Sequence, residues 1–155
     1  MNIKFAPWRF DYILGKREKT CVFCRIAAEK KDEENLILRR NENCYTVLNR
    51  YPYNNGHLMV IPYRHLSSIA DIDSRTGAEI AEEIKFWCSR LTSTMRPEGF
   101  NIGLNIGRAA GAGIEEHLHW HVVPRWSGDM NFMPVVAKVK IIPQSLESAF
   151  EMLKI

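Results

Sequence analysis

Apolar positions run in short strand-like stretches through the first half of the chain and change to helical spacing near residue 76. Leu36 and Leu38 mark a strand over 35–40, and Tyr45 and Val47 lie in a second over 44–48. After the turn-forming YPYNNG, the run HLMVIPY over 57–63 reads as a third, largely buried strand. Upstream, CVFC opens a knuckle over 21–31 that runs into a short helix. Ile80, Ile84, Trp87 and Leu91 recur at steps of four, three and four, so 76–95 reads as the main helix with one apolar face. Thr76 and Glu79 have capping-box spacing at its start, and Pro97 and Gly99 stop it. Residues 100–105 and 118–124 read as further strands, separated by the Gly/Ala loop GRAAGAG. Pro143 is placed to open a last helix with Leu146, Ala149, Phe150 and Leu153 on one face. Strands gathered around one long helix predict an α+β domain with a largely antiparallel sheet.

Composition narrows the class. The chain has 155 residues, 46% hydrophobic and 25% charged, which suits one globular domain with a core of its own. We divide it into an arm over 1–20, with Phe5, Trp8, Phe10 and Tyr12 among charges, and a single domain over 21–155. The net charge of +3 is too small for a nucleic-acid track but does not repel a phosphate-bearing ligand. No apolar run reaches membrane-spanning length and the start lacks a signal-peptide pattern, so a cytoplasmic protein is expected. The four cysteines comprise one Cys-x-x-Cys pair and two isolated residues, unlike a disulfide scaffold. There is no P-loop and no Rossmann fingerprint.

The densest chemistry lies in HLHWHVVPR, 117–125. Strand alternation puts His117, His119 and His121 on one face, and Leu118, Trp120 and Val122 on the other. A solvated polar strand face is the bland alternative. Histidines two apart are separated by roughly 6.6 Å, so neighbours can converge on one zinc, whereas His117 and His121 can hardly do so. The three therefore divide their work. A middle imidazole flanked by two others suits nucleophilic or acid–base chemistry at phosphorus, with the neighbours holding phosphate oxygens. The pair Cys21 and Cys24 has the spacing of a metal knuckle or a redox motif, or is two unrelated thiols. Cys44 and Cys88 are expected to be buried. Lys30-Lys31 and Arg39-Arg40 read as solvated surface. Arg125 faces either phosphate or solvent. Trp126 and Phe132 could stack on a base or line an interface, and Asp129 and Asn131 could close their loop.

HLHWHVV fits the His-x-His-x-His-apolar-apolar signature of the histidine triad (HIT) family. GLNIGRAAG resembles that family's Asn-containing strand and phosphate loop, and LNRYPYNNGHLMVIPYRH its nucleoside-side segment. PRWSGDMNF and YPYNNGHLMV look most like the bacterial branch of diadenosine tetraphosphate phosphorylases. The resemblance covers about 21–125. It implies an α+β meander, usually completed as a homodimer that joins two sheets. It implies that His119 attacks an α-phosphate to form a nucleotidyl-histidine, that His121 contacts the phosphate, and that His57 lies beneath the catalytic imidazole and orients its tautomer. Asn105 would hold phosphate oxygens, Asn49 ribose hydroxyls, and the loop with Gly111 and Gly113 the phosphate through its backbone. Many relatives carry a hydroxyl residue near Gly113, so its absence leaves the second-step acceptor open between inorganic phosphate and water. The family pattern also implies a closed, structural zinc site on Cys21, Cys24, His65 and His117, with no catalytic metal required. The implied ligand is an adenine nucleotide or dinucleoside polyphosphate. A dinucleoside polyphosphate or phosphoramidate hydrolase, and a nucleotide-binding regulator of low turnover, are the alternatives.

Overall fold

The computed structural model describes residues 20–129 and 142–155. The arm before Thr20, and Asn131 and Phe132, lie outside them. The elements run α1 (Val22–Ala28), β1 (Ile37–Arg40), β2 (Cys44–Leu48), β3 (Leu58–Pro62), α2 (Ser74–Met95), β4 (Gly99–Leu104), β5 (Trp120–Arg125) and α3 (Leu146–Leu153). The strands form one antiparallel sheet in the order β1-β2-β3-β5-β4. This is the expected α+β class with one long helix and a C-terminal helix.

The two sheet faces carry separate cores. Leu48, Leu58 and Val122 pack with Trp87 and Leu91 of α2 and with Phe150 and Leu153 of α3. Trp87 is fully buried and its indole N–H donates to Thr46 Oγ1 and Glu83 Oε1, so it is core. Truncating such a residue to Ala costs about 3–5 kcal/mol. On the opposite face Tyr45, Val47, Met59 and Ile61 pack beneath Phe23 and Ile26 of α1. Met59 pairs with His121 across β3 and β5, so the histidines share the α1 face.

Three local readings change. The cap of α2 is Asp73, whose carboxylate accepts from Thr76 N–H, so the helix starts one turn earlier than the Thr76–Glu79 spacing suggests. Glu79 instead accepts from the backbone N–H groups of Asn43 and Cys44, tying α2 to the start of β2. β1 begins only at Ile37, because Leu36 is left-handed (φ 58°) and the register shifts between Ile37 and Arg39. Arg39 and Arg40 are not merely solvated: Arg39 pairs with buried Glu83, and Arg40 donates to the carbonyls of Ala27 and Glu29 at the end of α1. The turn before β3 needs Gly56. Its φ is 66°, and a Cβ there would come within 2.7 Å of Met95 Sδ.

Candidate functional site

β5 begins at Trp120, so His117 and His119 precede the strand on a stretch held by Leu118 N–H donating to Leu66 O (2.7 Å). His117, His119 and His121 are 1%, 6% and 8% exposed, which excludes a solvated strand face. Phe23 of α1 packs against the first two, edge-on to His117 (centroids 5.5 Å) and tilted over His119 (5.1 Å). His119 and His121 stand 5.0 Å apart, ring edge to ring face.

What each second ring nitrogen meets decides its tautomer. His119 Nδ1–H donates to the carbonyl of His117 (2.8 Å), which leaves the Nε2 lone pair available. Among the described residues Nε2 has no hydrogen-bond partner. The Tyr53 N–H donates to His57 Nδ1 (2.9 Å), and the Asn49 amide sits 3.3 Å from the same nitrogen. His57 therefore carries its proton on Nε2 and donates it to His121 Nδ1 (2.9 Å). By the same logic His121 presents an Nε2–H, which lies 3.5 Å from Asn105 Nδ2. Two adjacent donors that cannot bond each other are suited to share an acceptor. The resemblance puts His57 beneath the attacking imidazole. Its ring lies instead against His121, and the His117 carbonyl takes the orienting role at His119.

Burial lowers the pKa of His117 and His119, and burial together with neighbouring His119 brings His121 down to about 4. Burial thus favours the neutral form of all three rings. His121 and Asn105 open onto a depression of about 240 Å³, also lined by Tyr53, Asn101, Gly103 and Val123. A larger cavity, about 450 Å³, lies on the α2 side among Glu42, Glu79, Glu82 and Glu83. Its acidic rim is unsuited to a polyphosphate.

The other predicted residues are spread around this centre. Asn49 is buried and engaged at both ends of its amide, with Oδ1 accepting from Tyr51 N–H. Gly111 and Gly113 lie in the exposed loop after β4, where Gly111 is left-handed (φ 84°) at the end of a 3₁₀ turn. Arg125 grips Asp129 with two nitrogens, and Asp129 also accepts from Asn54. Trp126 donates to the Arg96 carbonyl. Cys44 is fully buried, its thiol pushed up to about 12 by burial, whereas Cys88 is half-buried. Tyr53 and Phe23 were not singled out by sequence. The only hint was an aromatic inside each motif.

Cys21, Cys24, His65 and His117 converge, with all four ligand atoms within 4.8 Å of one another. His117 Nδ1 lies 3.3 Å from Cys21 Sγ and 3.6 Å from Cys24 Sγ, and His65 Nδ1 lies 3.4 Å from Cys24 Sγ. A tetrahedral zinc with ordinary Zn–S and Zn–N bonds needs S···N edges of roughly 3.6 Å, so the donor set fits. His117 Nε2–H donates to the Pro62 carbonyl (2.9 Å), which turns the Nδ1 lone pair toward the sulfurs. Burial, then the Cys21 sulfur, raises the pKa of Cys24, and a cation between the two would relieve that repulsion.

A family model described as HIT domain matches residues 30–128. A protein of Mycobacterium tuberculosis named AP-4-A phosphorylase is 46% identical over 122 residues, covering 79% of this chain and 63% of that protein. The chain thus spans less than two thirds of the length of that relative. A Zn-bound histidine triad family protein from Mycobacterium smegmatis has the same fold, with TM-score 0.71 and 28% identity over 87% of this chain and 91% of the other. A Plasmodium falciparum diadenosine triphosphate hydrolase shares the fold at TM-score 0.59 and 19% identity, over 76% of this chain and 71% of that one.

Proposed function

This chain belongs to the HIT domain family, and from that premise we propose that it cleaves dinucleoside polyphosphates by nucleotidyl transfer through His119. The observation that carries the reading is the His119 ring itself. Its Nδ1–H is tied to a backbone carbonyl and its Nε2 has no partner among the described residues, beside two donors that need an acceptor. In the first step Nε2 attacks the α-phosphorus, and the bond to the bridging oxygen of the leaving nucleotide breaks. For diadenosine tetraphosphate this leaves an adenylyl-histidine and releases ATP. His121 Nε2–H and the Asn105 amide hold the phosphate oxygens as charge builds on them. In the second step an oxygen of inorganic phosphate attacks the same phosphorus, ADP departs and His119 is regenerated. The 46% identity to the phosphorylase supports phosphate as acceptor.

The remaining residues take supporting roles in this reading. The loop with Gly111 and Gly113 offers backbone N–H groups to the phosphate chain. Asn49 reaches a ribose hydroxyl through the second lone pair of its Oδ1. Zinc on Cys21, Cys24, His65 and His117 is a closed four-ligand site and supplies structure only. β4 is an edge strand whose Ile102 is exposed, and a second copy pairing there would cover it and extend the sheet.

The test is product analysis with diadenosine tetraphosphate, with and without phosphate. ADP plus ATP formed only with phosphate supports the phosphorylase. AMP plus ATP without it makes the protein a hydrolase. No turnover of any adenylyl substrate sinks the enzyme reading.

A further inference from the structure

Among the described residues His119 has a single hydrogen bond, from Nδ1–H to the His117 carbonyl. One bond selects the tautomer but does not fix the plane of the ring. Packing has to do that, and two neighbouring rings supply it: His121 at 5.0 Å and Phe23 at 5.1 Å. The two supports are themselves held in different ways. His121 is braced inside the sheet by the bonds running from Tyr53 through His57. Phe23 stands between Cys21 and Cys24, in the first turn of a seven-residue helix. A helix that short is not stable alone and takes its position from its anchors. Those anchors are the Tyr45 hydroxyl, which donates to the Phe23 carbonyl (2.9 Å), Arg40 at the far end, and the two sulfurs that face His65 and His117. Phe23 also touches the His117 ring edge-on, so it contacts a metal-ligand candidate and the reactive imidazole at once.

We propose that Phe23 is a positioning residue through which the Cys21–Cys24–His65–His117 cluster sets the plane of the His119 ring. When the cluster closes on a metal, the two sulfurs are drawn toward the histidines and the first turn of α1 seats Phe23 against His119. When it opens, the His57–His121 side keeps its geometry and only the Phe23 side loosens. The geometric part stands without substrate. The catalytic consequence rests on the reading of His119 as nucleophile.

The experiment follows ¹⁵N-labelled histidine side chains by NMR in chelator-treated protein while Zn²⁺ is added. In the wild type, the His65 and His117 signals move with the metal, the His119 signals move with them, and His57 and His121 stay put. In Phe23→Ala, His65 and His117 still respond and His119 no longer follows. Phe23→Leu keeps most of the volume without the ring, gives an intermediate response, and carries the test should the alanine variant fail to fold. With substrate, Phe23→Ala lowers kcat roughly 10- to 100-fold with a smaller change in KM, as expected when a reacting atom is misaimed. His119 signals that ignore zinc in the wild type, or that follow it equally in both variants, overturn the proposal. A wild type without turnover whose His119 still follows zinc removes the nucleotidyl-transfer reading and leaves this one standing.

Discussion

Two clusters flank His119 and both are built on imidazoles, yet they are made for opposite tasks. On one side Cys21, Cys24, His65 and His117 turn lone pairs inward, with two sulfurs and an exposed histidine at the rim. On the other, Tyr53, His57 and His121 pass hydrogen bonds in one direction, with His57 wholly buried. The first converges acceptors on a point and therefore calls for a cation. The second ends in an N–H beside the Asn105 amide at the edge of a depression and therefore suits an anion. Residue type does not separate them. The partner of the second ring nitrogen does: the Pro62 carbonyl for His117, the His57 ring for His121, and the His117 carbonyl for His119.

The comparison breaks most completely if its shared centre is removed. His119→Ala is expected to lower nucleotidyl transfer roughly 10⁴-fold or more, while cooperative unfolding persists. Steady-state turnover measures it, and near-wild-type activity would refute the nucleophile assignment.

Acid tests the anion-facing side. In the unfolded chain His121 titrates near 6.5, and in the fold at about 4. Between these values the unfolded state binds more protons, so stability is complete above about 6.5 and is lost as pH falls toward 4. The window is worth roughly 3 kcal/mol from this group. Thermal unfolding from pH 7 to 4 reads it, and His121→Asn should flatten the slope. An unchanged slope in that variant would mean that His121 is not held neutral by burial.

Chelation tests the cation-facing side. The wild type purified without chelator is expected to carry one zinc per chain, and Cys24→Ser to lose it. With free zinc at 100 times its Kd, the lost binding is worth about 3 kcal/mol, or roughly 6–12 °C in Tm. Elemental analysis and a melting curve decide it. A metal-free wild type counts against the site.

The smallest effect sharpens the contrast. His57→Leu removes the donor to His121 Nδ1 and leaves that nitrogen buried and unpaired, at about 1–3 kcal/mol in stability. Turnover should drop about tenfold, and zinc content should stay the same. Lost zinc in this variant would show that the two clusters are not independent.

Much of this was readable in one dimension because it depends on neighbours in the chain. Strand alternation, the helical period of Ile80, Ile84, Trp87 and Leu91, and the stops at Pro97 and Gly99 are local, and the elements they predict are those observed. The class of sheet followed from such patterns, and the family from the resemblance of HLHWHVV to its signature. Boundaries failed where a distant partner intervened. Glu79 looked like half of a capping box, but the start of β2 claimed its carboxylate, and Asp73 capped the helix instead. Arg40 looked solvated until α1 folded over it and offered its terminal carbonyls.

The sequence alone determined which residues are candidates for chemistry: three histidines at alternate positions, a cysteine pair, and an asparagine ahead of a glycine-rich loop. Only the tertiary structure decided which of their atoms are available. Cys21 and His117 are 96 positions apart and meet because β3 and β5 are paired beneath α1. An imidazole has two nitrogens and one proton to place between them at neutral pH. That placement is set by whichever donor or acceptor the fold brings to the second nitrogen, and no local pattern encodes it.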